Sequence, residues 1–368
     1  MTSVPRPGTR ATDSALPDPL AATCPAPRTD KDTVLVGHGS GGQLSQRLMS
    51  DVIGPALAPA APGGTLNDAA IIRLGGVRLA FTTDSYVVSP LFFPGGDIGK
   101  LAVHGTINDL AMMGALPKAL SLAFIVEEGL HIDDLRRVVE SVADAAQAAD
   151  VEVVTGDTKV VGRGAADRLF VNTAGVGAVL PAVAPAADRA RPGDCVIVSG
   201  SIARHGMTIM SVREGLDFDS DITSDSQPLH RVVEAAFRVA PGPDSIRVLR
   251  DPTRGGLASS LCEIAASSSV SIEIDQDAIP IPSAVSAACE MLGLDPLHVA
   301  NEGCCVAIVS PDAVDDVLAA WRARPEACDA VLIGHVREPD PGRVFMRTTL
   351  GSRRIVDMLM GEQLPRIC

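Results

Sequence analysis

At 368 residues, with 46% hydrophobic and 21% charged positions, the chain has room for two ordinary domains and enough apolar residues for buried cores. A formal charge of −14 argues against nucleic acid or an anionic membrane as partner, because phosphate binding draws on clustered Lys and Arg, and one Trp, one Tyr and eight Phe offer few platforms for stacked bases. With no secretory-type apolar core and no run of about 18 apolar residues, the chain is expected in the cytoplasm, its eight cysteines as free thiols.

In chain order, residues 1–32 alternate prolines (Pro5, Pro7, Pro17, Pro19, Pro25, Pro27) with small and polar residues and are expected to be disordered. Residues 33–36 read as a short strand, GHGSGG (37–42) as a glycine loop and 43–53 as a helix. Two β-type runs, 69–74 and 77–83, are split only by Gly75-Gly76, which predicts a tight antiparallel hairpin. Over 97–114 the apolar positions Val103, Ile107, Leu110, Ala111 and Gly114 keep a helical period. Lys100, His104 and Asn108 recur on a second face that is expected to be free for chemistry.

A strand at 119–126 and a helix at 132–149, with Leu135, Val138, Val139, Val142, Ala145, Ala146 and Ala149 as its buried stripe, lead to strands at 151–155 and 169–179. These close a first domain, 33–180. Three prolines make 181–194 a linker. Strands at 195–199, 271–274, 304–309 and 331–336, together with a helix at 283–292 capped by Ser283 and ended by Gly293, predict a second, α/β domain over 195–350. A flexible tail, 351–368, is expected to follow; fully extended it spans about 60 Å.

Gly37, Gly39 and Gly42 satisfy G-x-G-x-x-G, but the hairpin that follows is incompatible with the parallel crossover of a dinucleotide fold, and no G-x-x-x-x-G-K-[ST] is present. The loop reads either as a phosphate cradle of backbone N–H groups or as an ordinary turn. Asp68, Asp84, Asp109, Asp157 and Asp251 each lie at a strand end or in a small-residue context. As hard oxygen donors from several segments they suit Mg²⁺ on a triphosphate; singly, each also suits a turn. Lys159 is positioned to offset phosphate charge or to face solvent, and Glu302 to act as a base or merely end a loop. Cys304 and Cys305 point to opposite faces of one strand and read as core. Cys368 ends the chain, its thiol pKa raised by the α-carboxylate and partly countered by Arg366.

Together GHGSGG, FTTDSYVVSPLFFPGGDIGKLAVHGTINDLAMMGA, VTGDTKVV, RDPTRGGLA, LGLDPLHVANEG and the terminal GEQLPRIC resemble the HypE family of hydrogenase maturation proteins. That family lies within the superfamily of aminoimidazole ribonucleotide synthetase and selenophosphate synthetase, and the likeness runs over residues 36–368. The resemblance implies a two-domain fold of α/β (α+β) class whose N-terminal sheet forms a dimer barrel with a second subunit, beside a C-terminal α/β domain. It implies ATP with Mg²⁺, a carbamoyltransferase, HypF, that loads Cys368, dehydration of the carbamoyl group to a thiocyanate, and delivery of cyanide to iron on HypC and HypD for [NiFe]-hydrogenase. Asp68, Asp84, Asp109 and Asp251 match its metal and nucleotide positions; Gly39, Ser40, Gly41, Gly42, Asn108, Asp157 and Lys159 match further nucleotide positions. Cys368, Lys159, Glu302 and Asp84 match the catalytic set. Asn67 replaces one acid of a commonly paired set, and Ala203-Arg204-His205-Gly206 stands where Gly-Asp-His-Gly is usual. Another ATP-dependent small-molecule synthetase or kinase of the superfamily, or a non-enzymatic carrier, remain the alternatives.

Overall fold

Gly75 and Gly76 both adopt positive φ (56° and 85°), the backbone of a two-residue hairpin turn, and they join the first two strands of the chain in register Leu74↔Val77. This computed structural model describes residues 33–60, 66–215, 222–361, 364 and 366–368, so the disorder expected of 1–32 lies outside the described residues. Residues 35–368 form one unit.

In chain order, a 3₁₀ turn at Val36–Gly39 leads into α1 (Gln43–Leu48), which continues through a π turn (Met49–Ile53) into α2 (Gly54–Leu57). The strand expected at 33–36 is absent. His38 Nδ1 instead accepts the Leu35 N–H at 2.9 Å, closing the chain on itself. Then come β1 (Ala70–Leu74), β2 (Val77–Tyr86), the short pair β3 (Phe92–Phe93) and β4 (Gly96–Asp97), and α3 (Ile98–Met112), followed by β5 (Ala115–Glu127), α4 (Ile132–Ala149), β6 (Glu152–Val161) and β7 (Leu169–Val179). The sheet order is β1-β2-β7-β5-β6. Only β5 and β6 are parallel, as the α4 crossover between them requires.

Asp97 starts α3, its Oδ1 accepting from Gly99 N (2.7 Å) and Lys100 N (3.1 Å). The helices α3 and α4 bury Val103, Ile107, Val142 and Ala146 against Leu120. Val139, expected in that stripe, faces solvent. Nor is the second face of α3 free. His104 and Asn108 are both buried, because the segment 222–229 of the second domain lies across them.

The second domain adds β8 (Cys195–Val198), α5 (Arg204–Glu214), α6 (His230–Val239), β9 (Ile246–Arg250), α7 (Gly256–Ser268), β10 (Ser271–Asp275), α8 (Ser283–Leu292), β11 (Val306–Val309), α9 (Val314–Arg322), β12 (Val331–Arg337), β13 (Val344–Arg347) and β14 (Arg353–Val356). Its sheet runs β14-β13-β10-β12-β8-β11-β9. Cys304 packs with the core on one side of this sheet and Cys305, with Trp321, on the other. Ser283 is the first helical residue rather than the cap, since Pro282 occupies the cap position. The sheet also runs past residue 350: β14 pairs antiparallel with β13, so the tail begins later than expected. Both cores extend into the first domain, one through Tyr86, Phe93 and Leu101 and the other through Ala111 and Met112, so the two sheets are locked together.

Candidate active site

The hairpin, α3 and β9 end at one place. Asp68 just before β1, Asp109 on α3 and Asp251 just after β9 bring carboxylate oxygens within 4.8 Å of one another. Burial and the charges of the neighbouring aspartates raise the pKa of Asp109 and Asp251 well above the usual carboxylate range. Burial raises that of Asp68 too, although Arg250 forms an ion pair with it and partly offsets the effect. Thr82 donates its hydroxyl to Asp109 Oδ2 at 2.7 Å, while Asp68 Oδ2 has no hydrogen-bond partner among the described residues. Asp84, on β2, accepts from the buried Tyr86 hydroxyl at 3.2 Å and lies near enough for its charge to act on Asp68, Asp109 and Asp251. So much converging negative charge, with an unpaired buried oxygen, fits a hard divalent cation.

On the other side of Asp84 stand Glu302, Arg254 and Cys368. Glu302 is 3% exposed, and its Oε1 has no hydrogen-bond partner among the described residues. Burial, then the charges of Asp225, Asp251 and Asp84, lift its pKa well above the normal range. Arg254 is held to the Gly39 carbonyl at 3.2 Å and faces Cys368, whose charged form it favours. Burial nonetheless wins: with Glu302 and Asp84 nearby, it pushes the Cys368 thiol up to about 12. The tail is therefore seated in its own site rather than free. The cation opposite the thiol is Arg254, not Arg366, which is drawn off into an ion pair with Asp167.

The remaining expected residues divide. Gly39, Ser40 and Gly42 line a small cavity of about 60 Å³ together with Arg254, His298 and Cys368. Gly41 has φ +75°, and a Cβ there would stand 2.5 Å from the Arg254 carbonyl oxygen; one on Gly42 would stand 2.4 Å from that of Leu359. These glycines thus permit close approach to the Arg254 loop and the start of the tail. Asn108 is elsewhere: its amide donates to the Gln227 carbonyl (3.1 Å) and accepts from Leu229 N (2.8 Å), tying the domains together and leaving it little capacity for a nucleotide. Asp157 and Lys159 pair with each other on β6, both exposed. The ladder Asp84↔Thr173, Thr173↔Leu122, Leu122↔Gly156 separates them from Asp84 by three strand spacings, about 14 Å. Within one chain they do not reach the acid cluster. Arg254 and Tyr86 were not singled out from the sequence, although both lie inside the motifs RDPTRGG and FTTDSY. The signal available was a charged or hydroxyl-bearing residue beside an aspartate already chosen.

Models of two families, AIR synthase related protein, N-terminal domain, and AIR synthase related protein, C-terminal domain, match residues 66–179 and 191–347. The chain is similar to the carbamoyl dehydratase HypE of Rhizobium leguminosarum bv. viciae, 53% identical over 336 residues that make up 90% of this chain and 94% of that protein. It is also similar to the solved structure of a HypE in complex with ATP, at 50% identity and a TM-score of 0.77, covering 91% of this chain and 100% of that one. To the HypE–HypF complex the identity is 44% and the TM-score 0.78, over 84% of this chain and 100% of that chain.

Proposed function

Because this chain belongs to the HypE family of carbamoyl dehydratases, we propose that it uses ATP to dehydrate a carbamoyl group carried on its own Cys368 thiol, leaving a thiocyanate as the cyanide source for the iron of [NiFe]-hydrogenase. The observation that carries this reading is the terminal thiol lying among Arg254, Glu302 and Asp84, beside the acid cluster. A pure carrier needs no such enclosure.

The site disfavours a docked thiolate, with the pKa of Cys368 pushed up to about 12, but a neutral S-carbamoyl group escapes that penalty. Cys368 would therefore take up its carbamoyl group while the tail is outside, on the HypF-type carbamoyltransferase, and return loaded. ATP supplies the phosphoryl group that makes the carboxamide oxygen a good leaving group as phosphate; without it, water would have to leave from an amide. Of the nitrogen's two protons, one is released to water as the oxygen is phosphorylated, and the other must leave as the C–O bond breaks, phosphate departs and the C≡N bond forms; this second proton needs a positioned base. Glu302, its unpaired Oε1 in a buried setting that strengthens it as a base, is the acceptor we assign. Arg254 offsets negative charge developing on the oxygen. Asp68, Asp109 and Asp251, with Asp84 beside them, would hold Mg²⁺ at the triphosphate.

Asp157 and Lys159 lie on an exposed edge strand, β6, whose outer positions include Val154 and Val160. Pairing of this sheet with that of a second copy, as a homodimer barrel, would cover those side chains and give Asp157 and Lys159 a route to the partner's nucleotide. The cyanide acceptor would be an iron scaffold of HypC and HypD. The test is intact mass after incubation with the carbamoyltransferase system and ATP. Cys368 should gain about 43 Da and then lose about 18 Da on dehydration. The same changes on Cys368→Ala would overturn the assignment.

A further inference from the structure

The end of the chain is recognised through its backbone. Val87 N donates to an α-carboxylate oxygen of Cys368 (3.1 Å) and Ser89 N to the carbonyl oxygen of Arg366 (3.2 Å), so residues 366–368 lie antiparallel to 87–89. Between these rungs the Ile367 carbonyl turns the other way and meets His205 Nε2 at 2.5 Å. Leu364 and Ile367 are buried in the core of the second domain.

We propose that His205 is the positioning residue for the carrier tail: its Nε2–H, aimed at the Ile367 carbonyl by Ser224, fixes the last peptide and so the place of the Cys368 thiol between Arg254 and Glu302. The hydrogen-bond directions are forced. A carbonyl only accepts, so Nε2 carries the proton; Nδ1 of the neutral ring must then accept, and Ser224 Oγ donates to it at 2.8 Å. Ser224 Oγ in turn accepts from Ser226 N at 3.1 Å. The ring is fully buried and set edge-on to Phe93, with centroids 5.4 Å apart, so it has no freedom to turn away. Burial pushes its pKa down to about 4, which keeps this tautomer neutral at physiological pH. Arg213 also grips the Arg366 carbonyl, but from the exposed side.

The proposal rests on Cys368 being the carrier, so its test reads docking rather than chemistry. The full-length, unloaded protein is treated with iodoacetamide at pH 7, and Cys368 alkylation is followed by mass spectrometry against the exposed Cys328 as internal reference. His205→Ala should raise the Cys368-to-Cys328 rate ratio by about fivefold to tenfold, the worth of one lost hydrogen bond. His205→Gln, whose amide can donate to the same carbonyl, should restore most of the protection, and Ser224→Ala should give an intermediate ratio. In the loaded enzyme, His205→Ala should lower kcat with the KM for ATP unchanged. A folded His205→Ala with the parental ratio overturns the proposal; if that variant does not fold, a parental ratio in Ser224→Ala does so. Failure of Cys368 to become carbamoylated would instead refute the carrier reading and leave the alkylation result standing.

Discussion

The two sheets carry comparable apolar strands but differ in what lies against them. Every residue of β8 (CVIV) and β11 (VAIV) is buried, because helices cover both faces of the seven-stranded sheet. All five residues of β1 are exposed, and β6 is exposed along nearly its whole length, although both contain Val or Ile. The five-stranded sheet has helices on one face alone. Apolar residues there, among them Val154 (59%), Val160 (71%) and Phe81 (44%), serve no core within the chain. The contrast separates two jobs: the second sheet is scaffold, whereas the first supplies Asp84, leads directly into the Val87–Ser89 dock and leaves one face uncovered within the chain.

The sharpest way to break that division is at the acids. Asp109→Asn and Asp84→Asn each remove a hard oxygen donor with little change of shape, and each should weaken Mg²⁺-dependent ATP binding by about two orders of magnitude, or ~3 kcal/mol, with the fold retained. Calorimetry with unchanged ATP affinity in both variants would remove the nucleotide from this site.

Next in size are the scaffold substitutions. Ile308→Ala, on the fully buried β11, should cost about 2–5 kcal/mol, whereas Val154→Ala on β6 should fall within about 0.5 kcal/mol. Cys304→Ala should likewise lower stability more than ATP turnover; denaturant titration beside a turnover assay checks both. On the outer face, Val154→Lys should leave monomer stability near the parent's and raise the dimer dissociation constant about tenfold or more, as read by sedimentation. Equal costs in the two sheets, or an unaltered oligomer, would erase the distinction.

Local rules made much of this architecture legible. The two-glycine hairpin and the α4 helix needed only turn chemistry and a 3.6-residue period, and α4 spans the expected 132–149. The strands β9 (IRVLR), β13 (VFMR) and β14 (RRIV) went unseen because arginines interrupt or bound their short apolar runs, whereas β8 and β11 are apolar throughout, and they are strands by virtue of their neighbours. The aspartates were legible as a set, but the convergence of three of them was not, since Asp68, Asp109 and Asp251 are far apart in sequence and meet through tertiary packing alone. His104 and Asn108 misled for the same reason: a polar stripe on a helix looks like a free face until a segment from another domain covers it. The tail looked mobile because nothing local reveals that Val87, Ser89 and His205 await its backbone oxygens.

The smallest effect concerns what the acid cluster does to the fold itself. A carboxyl whose folded pKa is raised contributes stability below its unfolded value, near pH 4, and that contribution is lost as pH rises through the folded pKa. Asp109 and Asp251 are both raised well above that value, first by burial and then by neighbouring acids, so at pH 7 without metal the site strains the structure that houses it. Asp251→Asn should therefore increase the metal-free Tm, by about 0.7 °C if the relief is about half a kcal/mol. The parent should lose ground to the variant as pH is taken from 4 to 7, and Mg²⁺ with ATP should reverse the order by stabilising the parent alone. Scanning fluorimetry with and without Mg²⁺–ATP reads all three comparisons. A metal-free Asp251→Asn that melts below the parent at pH 7 would mean that Arg250 and the surrounding dipoles already neutralise the cluster, leaving no deficit for a cation to fill.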